Sequence, residues 1–174
     1  HAAAYHRHPQ TDIVGVCDLR SEALDDFKQN WNDVWPEINY YTDYREMLRK
    51  EQPNLVSVAT PDHLHADITV DACNRGAQAI LCEKPIATTL PDADRMIAAA
   101  ERNNTLLSIE HTRRWDPRFQ AARELIRSGE IGTLRGIVSN LFGLRSMLFR
   151  NGTHMIDTIC FFAESEPRWL FAEL

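Results

Sequence analysis

The sequence predicts an α/β protein built on a doubly wound parallel sheet. Two observations carry that prediction. The run Ile13-Val14-Gly15-Val16-Cys17-Asp18 is β-branched and too continuous to be half exposed, so it reads as a strand buried on both faces, and 54–59, 77–82 and 106–110 repeat the type. Between these runs lie segments of helical length, the alternation expected of right-handed βαβ crossovers.

The elements follow in order. Residues 1–8 have helical composition and stop at Pro9. After the first strand, Ser21 is placed to cap a helix in which Leu24, Phe27 and Trp31 recur at helical spacing, and 38–41 reads as an edge strand. Asp43 and Glu46 have the spacing of a capping box. The strand at 54–59 leads through Thr60-Pro61-Asp62-His63 into a helix over 64–74, with Gly76 suited to end it. The strand at 77–82 ends in Glu83-Lys84-Pro85, and Thr88-Thr89-Leu90-Pro91 opens a helix running through Asn103. Asp116-Pro117 opens another, ended by Gly129. After Gly132 the rhythm changes. Residues 134–142 read as a longer strand, 151–163 as a helix with Met155, Ile156, Ile159 and Phe162 on one side, and Trp169-Leu170-Phe171 as apolar surface, in a final strand, without a visible partner. The boundary that follows separates residues 1–110 from 111–174, the latter a connecting helix and the start of a second domain cut short.

Composition narrows the function. A chain of 174 residues with a formal charge of -6 lacks the basic footprint of a nucleic-acid or anionic-membrane binder. No apolar run has the length of a membrane span, and no signal peptide is visible. The four cysteines show no C-x-x-C spacing, which points to reduced thiols, a cytoplasmic setting and no zinc. His63 and His65, two apart on a helix, diverge and make no metal pair. The chain opens at His1 without a methionine, so an upstream segment is expected to be absent.

In an open parallel sheet ligands bind beyond the carboxyl ends of the strands. Asp18, Thr60, His63 and the Glu83-Lys84 pair all fall there. An acid at Asp18 suits the hydroxyls of an adenosine ribose and favours NAD over NADP, although Arg20 could hold a 2′-phosphate instead. Asp18 could equally be a strand-end acid in water. The chain spends only three of its 19 cationic residues on lysine, so Lys84, extended by the proline after it, stands out as a titratable group. From spacing alone the pair could as well close a strand at the solvent edge. No G-x-G-x-x-G is present, and a chain without that phosphate cradle is expected to bind NAD(H) weakly by itself.

The succession VCDLR, VATPDHLHADITVDACNRGAQAILCEKPIA, HTRRWDP, GEIGTLRG and NGTHMID resembles the glucose-fructose oxidoreductase, inositol dehydrogenase and rhizopine-catabolism (Gfo/Idh/MocA) family over essentially the whole chain. The resemblance implies a Rossmann-type NAD(P)-binding domain, lacking here its first strand and glycine loop, followed by an α+β domain with a mostly antiparallel sheet that often forms a homo-oligomer interface. It implies that Asp18 meets the ribose, that Thr60, Pro61 and His63 lie along the cofactor, and that Glu83 reaches the nicotinamide ribose. Lys84 falls on the active-site lysine, with a cis bond to Pro85 expected. His154 falls on the proton acceptor, and Arg114 and Asp157 fall on positions lining the substrate pocket. The activity implied is hydride transfer between NAD or NADP and a secondary alcohol of a sugar, cyclitol or related polyol.

One position departs from the family. Arg150 stands where an acid four residues before His154 would orient it, and a cation there on the same helix face would lower the histidine's pKa. Either Asp157 substitutes as partner at i+3, or the site is degenerate and the protein a non-catalytic nucleotide-binding or scaffolding relative. His154 could also be a helix N-terminal histidine bonded to backbone, and the 113–114 arginines a solvated turn.

Overall fold

The computed structural model describes residues 1–142 and 148–173 and divides into two compact units, His1–Ser108 and Ile109–Leu174. The first runs α1 (Ala2–Arg7), β1 (Gly15–Cys17), α2 (Ser21–Trp31), β2 (Asn39–Tyr41), α3 (Tyr44–Glu51), β3 (Leu55–Val58), a 3-10 turn (Asp62–Leu64), α4 (His65–Asn74), β4 (Ala79–Cys82), α5 (Leu90–Asn103) and β5 (Leu106–Ile109), whose last residue begins the second unit. The second unit continues with a 3-10 turn (Thr112–Trp115), α6 (Pro117–Arg127), a π-type turn (Leu148–Gly152) and α7 (Thr153–Ala163).

Strands alternate with helices as expected, and the pairings fall into two groups. β1 pairs β2 in parallel, Val16 opposite Tyr40, while β3, β4 and β5 form a second sheet in that order, with β3 and β4 parallel and Val58 opposite Cys82. The core lies mainly on the second sheet and its helices: Val58, Ile80, Cys82, Ala72, Cys73, Met96 and Ala99 are all but sealed from solvent. α4 packs on β3, β4 and α5, so its buried face is what sets the ends of both strands. β1 is shorter than expected and half-buried, not buried on both faces. With β2 as its one ladder partner among the described residues, it keeps apolar Val14 substantially in water.

Caps explain most of the boundaries. Thr89 accepts from the Asp92 amide at 3.2 Å with Pro91 in the first turn of α5, and Gly76, in the left-handed region at φ +88°, follows α4. The expected Ser21 cap is not made. Arg20 is the N-cap residue of α2 and no side chain caps the helix; the Asp18 carboxylate accepts from the Arg20 amide at 2.9 Å, just before it. The Asp43 box is half made. Asp43 accepts from the Arg45 amide, but Glu46 turns along the helix to pair with Lys50 at 2.8 Å.

In the second unit α6 and α7 pack through Phe119 stacked on Phe162, ring centroids 6.0 Å apart, with Phe161 the buried aromatic of α7 and Ile156 left half in water. Two strand expectations fail. Residues 132–142 carry no regular secondary structure, and neither do 166–173, which include Trp169-Leu170-Phe171. A strand needs a neighbour for its backbone groups, and among the described residues neither segment has a ladder partner; Val138 and Phe142 are 88% exposed. The stretch 143–147 lies outside the described residues. α7 begins at Thr153, two residues later than expected, because the π-type turn precedes it.

Asp116 caps α6 and gives a pH prediction. Its carboxylate accepts from the Arg118 guanidinium at 2.6 Å and the Arg118 amide at 2.9 Å, and these bonds hold its carboxyl down at about 2. The folded value lies below the unfolded carboxylate value of about 3.9. The cap is therefore fully in force above that pH and is lost as pH falls through about 2. Following the Asp116 carboxyl carbon by NMR should give a midpoint near 2, and one near 4 would show the Arg118 bonds are not held in solution.

Candidate active site

The first unit brings its candidate residues to the carboxyl ends of its strands. Asp18 leaves β1 with its backbone amide bonded to the Tyr41 carbonyl at 3.2 Å, and its half-exposed carboxylate lies 3.6 Å from the Arg20 guanidinium. Thr60 lies two residues past β3, and Pro61 and the 3-10 turn carrying exposed His63 follow it. Glu83 is fixed by its amide to the Val58 carbonyl at 2.9 Å, which extends the β3–β4 ladder to the first site residue. One oxygen of its side chain accepts from the Lys84 amide at 3.2 Å, and the other lies 3.3 Å from the His1 ring. Lys84 is half-buried, and the Lys84-Pro85 peptide bond is cis.

One atom here points to a ligand. The Thr60 hydroxyl is buried and makes no hydrogen bond among the described residues. A buried polar group without a partner costs about 1–3 kcal/mol, so it is the atom in this cluster whose chemistry asks for a donor or acceptor from outside. That fits a polyhydroxylated nucleotide at the strand ends, with Asp18 and Glu83 supplying acceptors.

The second unit brings together Arg114, Asp157, His111 and His154. Arg114 leaves the 3-10 turn to hold Asp157 by three contacts of 2.8 to 3.0 Å, a bidentate grip that also keeps the guanidinium charge and raises the Arg114 pKa. His111 Nδ1 lies 3.8 Å from the same carboxylate, and the His111 ring meets the His154 ring edge-on at 6.3 Å. Arg113 reaches the His154 carbonyl at 3.4 Å. Both carboxylate oxygens of Asp157 thus accept hydrogen bonds from Arg114. Arg150 lies in the π-type turn that runs directly into α7, and His154 in the first turn of α7.

Two residues escaped the sequence reading. His111 heads the HTRRWDP run, in which the paired arginines are the conspicuous residues. His65 ends the A-T-P-x-x-x-H run, two residues after His63; it is 1% exposed and bonds two loops at once. The cysteines are free, and burial pushes the Cys82 thiol up to about 12 and, with Asp43 and Asp18 adding to it, Cys17 to about 11, so both stay protonated and unreactive at neutral pH.

Comparison with known proteins identifies the family of the chain and its fold. Residues 1–111 match the family described as "Oxidoreductase family, NAD-binding Rossmann fold". The whole chain aligns at 32% identity with 47% of D-apiose dehydrogenase from Paraburkholderia graminis. Inositol 2-dehydrogenase of Salmonella typhimurium is 31% identical over 70% of the chain and 35% of that protein. The crystal structure of myo-inositol 2-dehydrogenase from Lactobacillus plantarum shares the fold with a TM-score of 0.67 at 24% identity, over 74% of this chain and 37% of that one. The chain therefore spans half or less of the length of these relatives.

Proposed function

Because this chain belongs to the Gfo/Idh/MocA oxidoreductase family, whose NAD-binding fold its first 111 residues carry, we propose that it serves a nicotinamide-dependent dehydrogenase acting on a secondary alcohol of a sugar, cyclitol or related polyol. The observation that carries this reading is the pairing of strand ends: a buried threonine hydroxyl without a partner after β3, and an acid and a lysine delivered by the neighbouring β4. Relatives named for D-apiose and inositol support the substrate class.

In this reading Asp18 receives the adenosine ribose hydroxyls, which favours NAD over NADP, and Arg20 is the group that would hold a 2′-phosphate in the other case. Thr60, Pro61 and His63 line the cofactor, and Glu83 takes the nicotinamide ribose. When bound, the nicotinamide supplies the hydride chemistry. Lys84 donates to the substrate oxygen and stabilises the negative charge that develops on it, and His154 accepts the hydroxyl proton. Arg114 and Asp157, locked to one another, present a fixed polar surface to the substrate. Residues 1–110 form the cofactor domain, and 111–174 form the connecting helix and the start of a substrate and oligomerisation domain. In the same reading the protein works as a cytoplasmic homo-oligomer. No helix among the described residues is long and apolar enough to cross a membrane.

A second reading has one observation in its favour. Arg150 stands where the family pattern has an acid, so a non-catalytic relative would keep the fold without that acid before its histidine. Incubating the protein with NAD or NADP and a panel of sugars and cyclitols, and reading reduced nicotinamide, separates the two. Turnover of at least one polyol is expected; stoichiometric cofactor binding without turnover of any would establish the second reading.

A further inference from the structure

His65 is the most deeply buried ionisable ring of the first unit, and nothing in the proposed chemistry uses it. Its Nδ1 lies 2.9 Å from the Pro85 carbonyl and its Nε2 3.0 Å from the Thr60 carbonyl. Those carbonyls belong to the two loops that carry the candidate site. One follows β3 at the unpartnered threonine, and the other is attached to the residue next to Lys84. Since His65 opens α4, which packs on both strands, the ring joins a rigid helix to both loops.

We propose that His65 is a positioning residue that clasps the Thr60 and Lys84-Pro85 loops together and so sets where the Lys84 ammonium is presented; its bearing on catalysis rests on the reading of Lys84 given above. The clasp has a chemical signature. A carbonyl only accepts, and a neutral imidazole has one N–H, so both bonds are made together only when both ring nitrogens carry protons. With one proton on the ring, one carbonyl is bonded and the other faces a bare ring nitrogen.

α4 and the elements around it carry other charged groups. The 3-10 turn carries Asp62 and His63, the end of β4 carries Cys82, Glu83 and Lys84, and His1 meets Glu83. On α5, Arg95 pairs with Asp92 and with Asp67 of α4, and α3 meets α4 through Tyr44 and Arg45, which both bond Asp71. Among the described residues no carboxylate lies within ion-pair distance of the His65 ring, whose two bonds go to carbonyls.

The test uses the 174-residue chain, with carbonyl and ring-nitrogen NMR signals followed across a pH titration. The Thr60 and Pro85 carbonyl signals should move with the His65 ring, one of them far more than the other, and should do so equally in His63→Gln and His1→Ala variants. Carbonyl signals that ignore the ring's titration would overturn the clasp, and that result needs no variant of His65 to fold. Activity gives the second arm. In the active dehydrogenase His65→Asn should lower kcat by about 10- to 10²-fold, the scale of a misplaced catalytic group, and have no further effect once Lys84 is alanine. An effect that multiplies with Lys84→Ala would show that His65 acts elsewhere. If Lys84→Ala turns over normally, the catalytic reading fails while the carbonyl signals still decide the clasp.

Discussion

Replacing Lys84 by alanine lowers kcat by roughly 10² or more, the usual loss for one electrostatic or acid-base group, equivalent to about 2.7 kcal/mol of transition-state stabilisation. The expectation follows from where the side chain starts. β4 ends at Cys82, its ladder is prolonged by the Glu83 amide to Val58, and Glu83 in turn accepts from the Lys84 amide. The amides of Glu83 and Lys84 are thus both hydrogen-bonded, one to backbone and one to the Glu83 carboxylate, before the lysine side chain leaves the strand end. Arginine at 84 would keep the charge but spread it over a planar fork, and it should restore little of the loss. Cofactor affinity within a few-fold of the parent would show that the variant is folded. A variant that turns over at the parent's rate removes Lys84 from the mechanism.

Ile80→Ala is expected to have the largest effect on stability, about 2–5 kcal/mol, the range for a buried isoleucine shortened to alanine in a core that cannot collapse. Ile80 is 1% exposed in the middle strand of the β3-β4-β5 sheet, so the cavity would open under a strand held on both sides. Against a total stability of about 5–15 kcal/mol this is a large share. With a urea dependence of about 1–3 kcal/mol per molar, the midpoint should fall by on the order of 1 M or more. Ile80→Val, which removes one methyl, should cost only about 0.5–1.5 kcal/mol. A cost for the alanine variant below that of valine would place Ile80 outside the core.

The parts of the fold legible in the sequence were those decided locally. The apolar runs of β3 and β4, the threonine and aspartate caps of α5 and α6, and the glycine after α4 depend on near neighbours in the chain and lie where the pattern put them. The strands expected at 134–142 and 169–171 were misread because alternating apolar residues reveal a liking for a pleated surface, not the presence of a neighbour to pair with. The site divides the same way. Lys84 and Asp18 stood out because each ends an apolar run. The grip of Arg114 on Asp157 crosses 43 residues, and the reach of His65 to the Pro85 carbonyl crosses 20, so no local pattern could announce either. Arg150, four residues before His154, falls in a π-type turn that no residue pattern announced.

The aromatic cluster of α1 and α2 gives the protein an internal optical reporter. Trp31 and Trp35 lie 5.1 Å apart, with the His6 ring edge-on to both at 5.9 and 5.8 Å, and Trp35 is buried while Trp115 and Trp169 are largely in water. Blue-shifted indole emission from the first unit therefore arises from Trp35, and its move to longer wavelength tracks the melting of that unit with little contribution from the second.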